Sequence, residues 1–430
     1  MLRFLGLAAG LAALAPWPVA AQALDPGTPI NNTLAEATGG RLKLSFEFRN
    51  RFESRTGNDF GRQPDLLNPV IRTHVGLEFR AADWLKVSAT MHDCRAPLYG
   101  APAPNTVRDT ADLHDASLEF MPGRDTGFGA VVGRQVANLG DGRVVGVSLW
   151  ANASRAYDGA RVYYRLPHGR LEFLFLSMVK VRTDEFDRPE LGDRLWGMYD
   201  TFGAWVPGGS VDVYLLRRDQ NRPGGFAGSG RLEVNTAGAR VAGPVAAGVR
   251  YTVEAAVQTG HAGPLPHRAL GWFSSVSRKF GRLETSAEYK YASGSDQPGV
   301  RDGTYDQLYT TNHDRFGHAD LFGWRNIHNV RSLETLRVTK ALSANVMYDN
   351  WWLASARDAL YNGSARAIVV SRDGSAGRHV GQEADLFATC RYGHWLFGAG
   401  AAKVFPGEFL KRTTPGVGTR YLYVFQTLSF

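Results

Sequence analysis

The sequence predicts an all-β protein: a transmembrane antiparallel barrel of about 18 strands, with short periplasmic turns at one end and long extracellular loops at the other. Three observations predict it, namely period-two alternation of apolar and polar residues, alternating short and long connections, and a secretory leader. Of the 430 residues, 44% are hydrophobic and 11% aromatic, yet the mean hydropathy is −0.25. No run of 18 apolar residues follows the leader, which excludes a bundle of membrane helices.

Residues 1–23 have the layout of a signal peptide. Arg3 supplies the basic start, Phe4 to Pro18 the apolar stretch, and Ala21 and Ala23 a small-residue cleavage site. We expect export of the remaining chain to the bacterial outer membrane. Residues 24–40 would then form a short periplasmic segment and residues 41–430 the barrel.

Residues 41–53 show the alternation most clearly. Leu42, Leu44 and Phe46 share one parity, whereas Glu47 and Arg49 share the other. The segments 70–80, 247–258 and 283–291 repeat the pattern. Strands of about 9 to 13 residues with one apolar and one charged face suit a wall between lipid and a polar lumen. An even strand number places both chain termini at the end with the short turns.

The connections distinguish a barrel from a secreted β-sandwich or solenoid, which remain the alternatives for the fold. A fixed internal repeat, which a solenoid would need, is not found. Short turns are expected at 81–83, 167–169, 207–209, 280–282, 340–341 and 392–394. Long connections are expected at 55–68, 95–111, 137–157, 182–194, 220–231, 259–267, 293–326, 354–378 and 405–419.

The chain ends in an alternating segment whose last residue is Phe430. A terminal aromatic residue on a final strand is typical of outer-membrane barrels. We therefore expect Phe430 to be recognised by the barrel assembly machinery, and the apolar face of the strands to contact outer-membrane lipid.

The charged residues indicate an anionic partner. The formal net charge is +8, and the cationic residues are 41 Arg and eight Lys. Because the planar guanidinium binds carboxylates through two hydrogen bonds, an anionic saccharide or a small anionic solute is expected, and export disfavours nucleic acid. Cys94 and Cys390 lie far apart without clustered His residues, so no metal or cofactor is expected.

Several sequence strings resemble the alginate export porin family. They include Gly133-Arg134-Gln135, residues 140–146 and 157–161, and, in the second half, residues 305–309, 320–326, 352–362, 380–386 and 405–411. The resemblance covers about residues 40–430 and implies a monomeric 18-stranded outer-membrane barrel with an electropositive lumen. Two departures are Val136-Ala137, where the family has Glu-Leu, and the short turn at 392–394, where alginate exporters have a long one.

The candidate site consists of charged side chains at the alternate strand positions that are expected to face the lumen, which we call the inward parity. Arg side chains would bind the carboxylates of the cargo, while interspersed Asp and Glu would hold them in place and keep cargo from being trapped. The candidate lumen arginines are Arg49, Arg72, Arg134, Arg143, Arg161, Arg250, Arg325 and Arg357. The candidate organising carboxylates are Glu47, Asp158, Glu254, Glu288, Glu383 and Asp385.

The predicted function is passive diffusion of anionic saccharides, such as alginate or oligouronates, through this lumen. A porin for small anions or sugar acids is the alternative, and an outer-membrane enzyme or adhesin is a third class. Asn312-His313 could suggest a hydrolase, but Ser293 and Ser355 lack a nucleophile-elbow context, so no catalytic residue is expected.

Overall fold

The computed structural model describes residues 27–99, 104, 106–123, 125–183, 185–203, 205–222, 230–297 and 299–430. The expected signal peptide, residues 1–23, lies outside this part of the chain. Eighteen strands form one sheet in which every neighbouring pair is antiparallel and the first strand pairs with the last. The predicted fold class, an all-β barrel of about 18 strands, is confirmed.

The barrel strands are β1 (Leu42–Thr56), β2 (Leu66–Ala82), β3 (Leu85–Arg95), β4 (Asp109–Phe120), β5 (Gly127–Gln135), β6 (Tyr157–Leu166), β7 (Gly169–Lys180), β8 (Arg188–Phe202), β9 (Ser210–Arg222), β10 (Gly230–Ala246), β11 (Val249–Ala262), β12 (Leu265–Phe280), β13 (Leu283–Ala292), β14 (Ile327–Arg337), β15 (Leu342–Leu353), β18 (His379–Tyr392), β19 (Trp395–Pro406) and β20 (Arg420–Ser429). A small separate hairpin consists of β16 (Leu360–Tyr361) and β17 (Ala367–Val369). Two helices are described, α1 (Gly27–Thr38) and α2 (Glu408–Thr413).

The last strand closes the barrel against the first. In β1, Arg49 lies opposite Arg72 of β2 on one side and opposite Thr427 of β20 on the other. Beyond β20, the backbone of Phe430 exchanges hydrogen bonds of 3.0 and 3.1 Å with Phe46, and the two rings stack. The C-terminal aromatic residue therefore lies in the seam where the barrel closes.

The outer wall carries an exposed apolar band. In β2, for example, Val75, Leu77 and Phe79 are exposed, whereas Arg72 on the opposite parity is buried. The same face continues around the sheet with Met91, Leu118, Val132, Val162, Phe173, Phe175, Leu215, Val257, Val276, Val330, Val346, Leu386, Phe397, Leu422 and Val424. This alternation confirms the predicted division of each strand into an apolar outer face and a polar inner face.

The connections follow the prediction except at 182–194, where β8 already begins at Arg188, and at 259–267. All six expected short turns join consecutive strands at one end, and two further ones occur between β4 and β5 and between β10 and β11. The expected long connection at 259–267 is wrong, because β11 extends to Ala262 and β12 begins at Leu265. Gly263, with a φ of 59°, allows this two-residue turn. His267, four residues further along the chain, is polar but lies in strand β12, where Asp302 and Gln258 contact its ring.

Helix α1 lies within the expected N-terminal segment, 24–40. The Asn31 amide donates to the Leu44 carbonyl at 3.0 Å and accepts from the Leu44 N–H at 2.9 Å. Because β20 pairs with β1 only from Glu47 onward, these bonds satisfy backbone groups that β20 does not reach. Neither described helix combines the length and the apolar character that a membrane span requires.

Candidate functional site in the lumen

Three connections from the long-loop end fold into the barrel and contact each other. We call them loop A (residues 136–156), loop B (293–326) and loop C (354–378). Loops A and B exchange backbone hydrogen bonds, from the Gly146 N–H to the Tyr309 carbonyl and from the Tyr309 N–H to the Val144 carbonyl, both 3.0 Å. Loops B and C are joined by the hydroxyl of Thr304, which donates to Asp358 at 2.6 Å. The three loops therefore form one body, the interior layer.

The interior layer has a hydrophobic core of its own. Val145 of loop A and Phe316, Phe322 and Trp324 of loop B are fully buried and belong to one apolar cluster. Trp351 of β15 contacts Phe322 from the wall, with ring centroids 5.1 Å apart. Side chains packed this closely have fixed positions, so the layer is a structured part of the barrel interior.

Three arginines of the wall hold loop A. The Arg49 guanidinium donates to the carbonyls of Leu149, Trp150 and Ala151 at 2.9, 3.2 and 3.0 Å. Arg72 donates to the Leu149 and Ala151 carbonyls, both at 3.0 Å, and Arg51 to the Trp150 carbonyl at 2.7 Å. Hydrogen bonds from a charged donor are stronger than neutral ones, so this cluster fixes the loop firmly.

This arrangement corrects the expected exposure of the candidate arginines. Arg49 and Arg72 have the predicted inward orientation but are only 5% and 3% exposed, because loop A covers them. Arg143 is also buried, 3.3 Å from the ring of Phe273 and 3.5 Å from Glu254. Arg325 is buried 3.6 Å from Asp306. These four side chains stabilise the interior layer instead of lining open solvent.

A buried ion-pair network joins loop B to the wall and was not predicted from the sequence. Arg218 of β9 contacts Asp193 of β8 at 3.0 Å and Asp306 of loop B at 3.1 Å. The guanidinium also lies over the ring of Tyr309, whose hydroxyl donates to Asp193 at 2.5 Å. The only sequence signal is the inward parity of Arg218 and Asp193; nothing in one sequence relates either of them to loop B.

A column of stacked side chains runs along the inner wall from β1 to β18, past β19 and β20, which lie between these strands. Arg51 lies 3.9 Å over Trp150, and Trp150 stacks on His313 with centroids 3.9 Å apart. His313 stacks on His318 at 4.3 Å, and His318 contacts Phe387 at 4.2 Å. Loops A and B are thereby attached to two separate strands of the wall.

We expect the column to make the interior layer sensitive to acid. Burial, with His313 and Arg331 nearby, lowers the pKa of His318 from 6.5 to about 2, although Asp320 opposes the shift. A histidine held neutral contributes stability above pH 6.5, and that contribution falls as the pH drops toward 2, by about 1.4 kcal/mol per pH unit. We expect the single-channel current to rise and become noisier between about pH 6.5 and pH 4 as the layer loosens.

The His318→Phe variant tests this expectation, because Phe keeps the stacking but cannot be protonated. Its current should change less with pH than that of the wild type. His168→Phe, at an exposed short turn, is the control and should respond to acid as the wild type does. Equal pH responses of His318→Phe and the wild type would contradict this role of His318.

Three arginines inside the barrel remain partly exposed beside the interior layer. Arg161 contacts Glu172 at 3.2 Å, and Arg240 contacts Asp212 at 2.7 Å. In each pair the arginine is more exposed than its carboxylate, at 16% against 6% and 14% against 2%. Arg315 of loop B, 3.2 Å from Asp141, is 21% exposed. Of these three, only Arg161 was a candidate. In the first two pairs the guanidinium is therefore more exposed than the carboxylate.

Nearby arginines stabilise the ionised form of the Asp141 carboxylate. Burial raises its pKa, but Arg143, Arg315 and Arg240 outweigh burial and bring the pKa below its usual value. Asp141 therefore stays negative at neutral pH and holds Arg315 at the surface of the layer.

The other candidate arginines lie elsewhere. Arg250 is exposed on the inward parity near the short-turn end of β11, and Arg357 is exposed in loop C. Arg134 and Asp158 form an ion pair of 2.8 Å but share the parity of Val132 and Val162, which are exposed on the outer wall. Arg134 is mostly covered, because its guanidinium also donates to the carbonyls of Leu113 and Asp187, and a role of this pair in the lumen stays a prediction.

Most of the candidate carboxylates contact an arginine or a lysine. Glu47 accepts from Arg72 at 2.7 Å, and Glu288 lies 2.6 Å from Lys290 and 3.9 Å from Arg331. Glu254 accepts from the Tyr214 hydroxyl at 2.9 Å and lies beside Arg143. Glu383 differs, because it accepts the Ala319 N–H of loop B at 2.8 Å. Asp385, two positions further along β18, is buried on the same parity.

The chain matches a family described as alginate export over residues 40–424. No curated protein sequence matches it.

Solved structures share the fold at low sequence identity. The structure of OccK3 (OpdO) from Pseudomonas aeruginosa has a TM-score of 0.60 at 12% identity and covers 90% of this chain and 95% of its own. OccAB4 from Acinetobacter baumannii has a TM-score of 0.61 at 12% identity, with 91% and 98% covered. The outer membrane protein OprD from Pseudomonas aeruginosa has a TM-score of 0.59 at 10% identity and covers 90% of this chain and 94% of its own.

Proposed function

The chain belongs to the alginate export family, and from that premise we propose that it is an outer-membrane channel through which anionic saccharides, such as alginate or oligouronates, diffuse passively. The exposed apolar band would face outer-membrane lipid, and Phe430 in the closing seam would be read by the barrel assembly machinery. In this proposal the protein lies in the bacterial outer membrane as a monomer without a cofactor.

The observation that carries this proposal is the set of partly exposed arginines beside the interior layer. Arg161, Arg240 and Arg315 present guanidinium groups to the lumen, each beside a carboxylate that fixes its position. A guanidinium can exchange hydration for two hydrogen bonds to a uronate carboxylate. The neighbouring carboxylate weakens each site, which suits conduction because the cargo must also leave.

The interior layer gives the second candidate function its support. Because the layer occupies part of the barrel, the passage is narrower than the wall alone would allow. A porin that passes small anions or sugar acids but excludes the polymer would have the same arginines. Cargo size therefore separates the two candidates.

We propose no catalytic activity. His313, the residue that could suggest a hydrolase, is buried in the stacked column with Asp320 2.8 Å from its ring nitrogen. A substrate could not reach it without displacing Trp150 or His318. The adhesin alternative predicts a barrel without ion current.

Single-channel recording in planar bilayers tests the proposal. In a salt gradient we expect an anion-selective reversal potential, and in the presence of oligouronates of increasing length we expect block of the current. Anion current that is indifferent to uronates would favour the small-anion porin, and the absence of current would contradict both channel functions.

Substitution of Arg240 tests whether these arginines determine the ion selectivity. The change Arg240→Ala, alone or with Arg161→Ala, should shift the reversal potential toward cation selectivity, because Asp212 and Glu172 then remain without these guanidinium partners. Arg278→Ala is the matched control, since Arg278 is exposed on the outward parity of β12. Unchanged selectivity in the double variant would remove these residues from the site.

A further inference from the structure

The barrel wall is incomplete between β4 and β5. Only Ala116–Phe120 of β4 pair with Ala130–Arg134 of β5, and this is the shortest ladder between described barrel strands. Beyond it, the connection from β7 to β8 (residues 181–187, of which 184 is not described) covers the gap. The Thr183 carbonyl accepts the Thr110 hydroxyl at 2.7 Å, and the Asp187 N–H donates to Asp112. This connection, the wall loop, completes the wall.

Three metal-binding side chains converge beneath the wall loop. They are His92 of β3, Asp109 of β4 and Asp187 of the wall loop, and their ligand atoms all lie within 4.8 Å of one another. His92 Nε2 and Asp109 Oδ2 are 2.7 Å apart. The three residues are 4%, 0% and 8% exposed, so the cluster is closed to bulk water.

Asp187 Oδ1 accepts the Arg182 N–H at 2.6 Å, but the His92 and Asp109 atoms of this cluster lack well-formed hydrogen bonds. Within the described chain, neither carboxylate oxygen of Asp109 and neither ring nitrogen of His92 has a hydrogen bond of acceptable geometry. Arg134 lies 3.6 Å from the neighbouring Asp112. Among the described residues, however, no Lys or Arg forms an ion pair with Asp109 or Asp187. The two buried carboxylates outnumber the single imidazole, and a buried carboxylate without a full counter-charge is strongly unfavourable, so the cluster favours an additional cation.

We propose that His92, Asp109 and Asp187 bind one divalent transition-metal ion, and that this ion fastens the wall loop to β3 and β4. One imidazole nitrogen and two carboxylate oxygens are ligands that Zn²⁺ accepts. The sequence gives no signal for the site, because its residues come from three separate segments that meet only in the folded barrel.

Two neighbouring clusters are weaker candidates. His74, His92 and Cys94 also converge, but the Cys94 thiol donates to the Asn152 carbonyl at 3.0 Å. His313, Asp314 and His318 converge in loop B, but both imidazoles are stacked in the column and His318 is hydrogen bonded to Tyr423 at 3.0 Å. Of the three clusters, only the one under the wall loop combines an imidazole with a carboxylate whose two oxygens both lack a hydrogen bond among the described residues.

Zinc binding by the purified, refolded full-length barrel tests the proposal. After treatment with EDTA and its removal, calorimetric titration with Zn²⁺ should give one site per chain. Asp109→Asn and Asp187→Asn should each weaken binding by about tenfold or more. Both variants should fold without metal, because they remove an uncompensated buried charge. Zn²⁺ should raise the unfolding temperature of the wild type but not of the variants.

Asp314→Asn is the control and should bind Zn²⁺ as the wild type does. Absence of Zn²⁺ binding by the wild type, or equal binding by Asp109→Asn and Asp187→Asn, would overturn the proposal. Absorption of the Co²⁺-loaded protein adds a test of ligand identity. A thiolate-to-cobalt charge-transfer band would assign the metal to His74, His92 and Cys94 and reject the proposed ligand set, whereas its absence supports the nitrogen and oxygen ligands.

Discussion

Replacing both Arg49 and Arg72 by Ala is expected to raise the single-channel conductance several-fold. The two guanidinium groups make five hydrogen bonds to the carbonyls of Leu149, Trp150 and Ala151. Because a hydrogen bond to a charged group contributes about 1.5 to 3 kcal/mol, their joint loss should weaken the attachment of loop A by about 3 kcal/mol or more. Loop A would then leave the lumen for part of the time, and the passage would widen.

The corresponding double Lys variant separates anchoring from charge. Lysine keeps the positive charge but has no planar fork to reach two carbonyls at once. If anchoring is what matters, the Arg49→Lys, Arg72→Lys channel should also conduct more than the wild type while keeping its anion selectivity. Wild-type conductance in the double Ala variant would show that loop A is held by other contacts and would contradict the anchoring role.

The Arg218→Ala variant is expected to lose about 3 to 5 kcal/mol of unfolding free energy, as is typical when one partner of a buried ion pair is removed. Arg218 is 5% exposed and lies between Asp193 of the wall and Asp306 of loop B. Without it, the Asp193 carboxylate stays buried but loses its guanidinium. Urea unfolding in lipid vesicles measures the loss, and faster tryptic cleavage of loop B should accompany it.

Arg194→Ala is the matched control for this change. Arg194 also lies opposite β9 but is exposed on the outward parity, so its loss should alter the unfolding free energy by no more than about 0.5 kcal/mol. The triple change Arg218→Met, Asp193→Asn, Asp306→Asn removes the charges together and should recover part of the stability. Equal stability of Arg218→Ala and Arg194→Ala would show that the buried network contributes little.

The wall could be predicted from the sequence because its physical cause is local. Residues 41–53 alternate between lipid and lumen at every position, so their faces follow from period two alone. The exception at 259–267 is also local in appearance. Gly260, Gly263 and Pro264 suggest a loop, yet the contacts of His267 with Asp302 and Gln258 keep these residues in paired strands.

The interior layer could not be predicted in the same way, because its contacts join distant segments. Arg49 was expected to face the lumen, and it does, but its carbonyl partners lie about a hundred residues further along the chain. The sequence does carry one signal, because Val145, Phe316 and Trp324 are large apolar residues within long connections. Apolar side chains in a long loop indicate that the loop is packed against something.

The interior layer has a mechanical consequence for the wall around it. Loop A emerges between β5 and β6, loop B between β13 and β14, and the stacked column ends on β1 and β18. These attachment points are distributed around the circumference, so the layer acts as an internal brace. An empty tube can flatten under lateral pressure from the bilayer, whereas this one must deform its brace first. The shape of the cross-section is therefore set from inside the barrel as much as by the pairing of its strands.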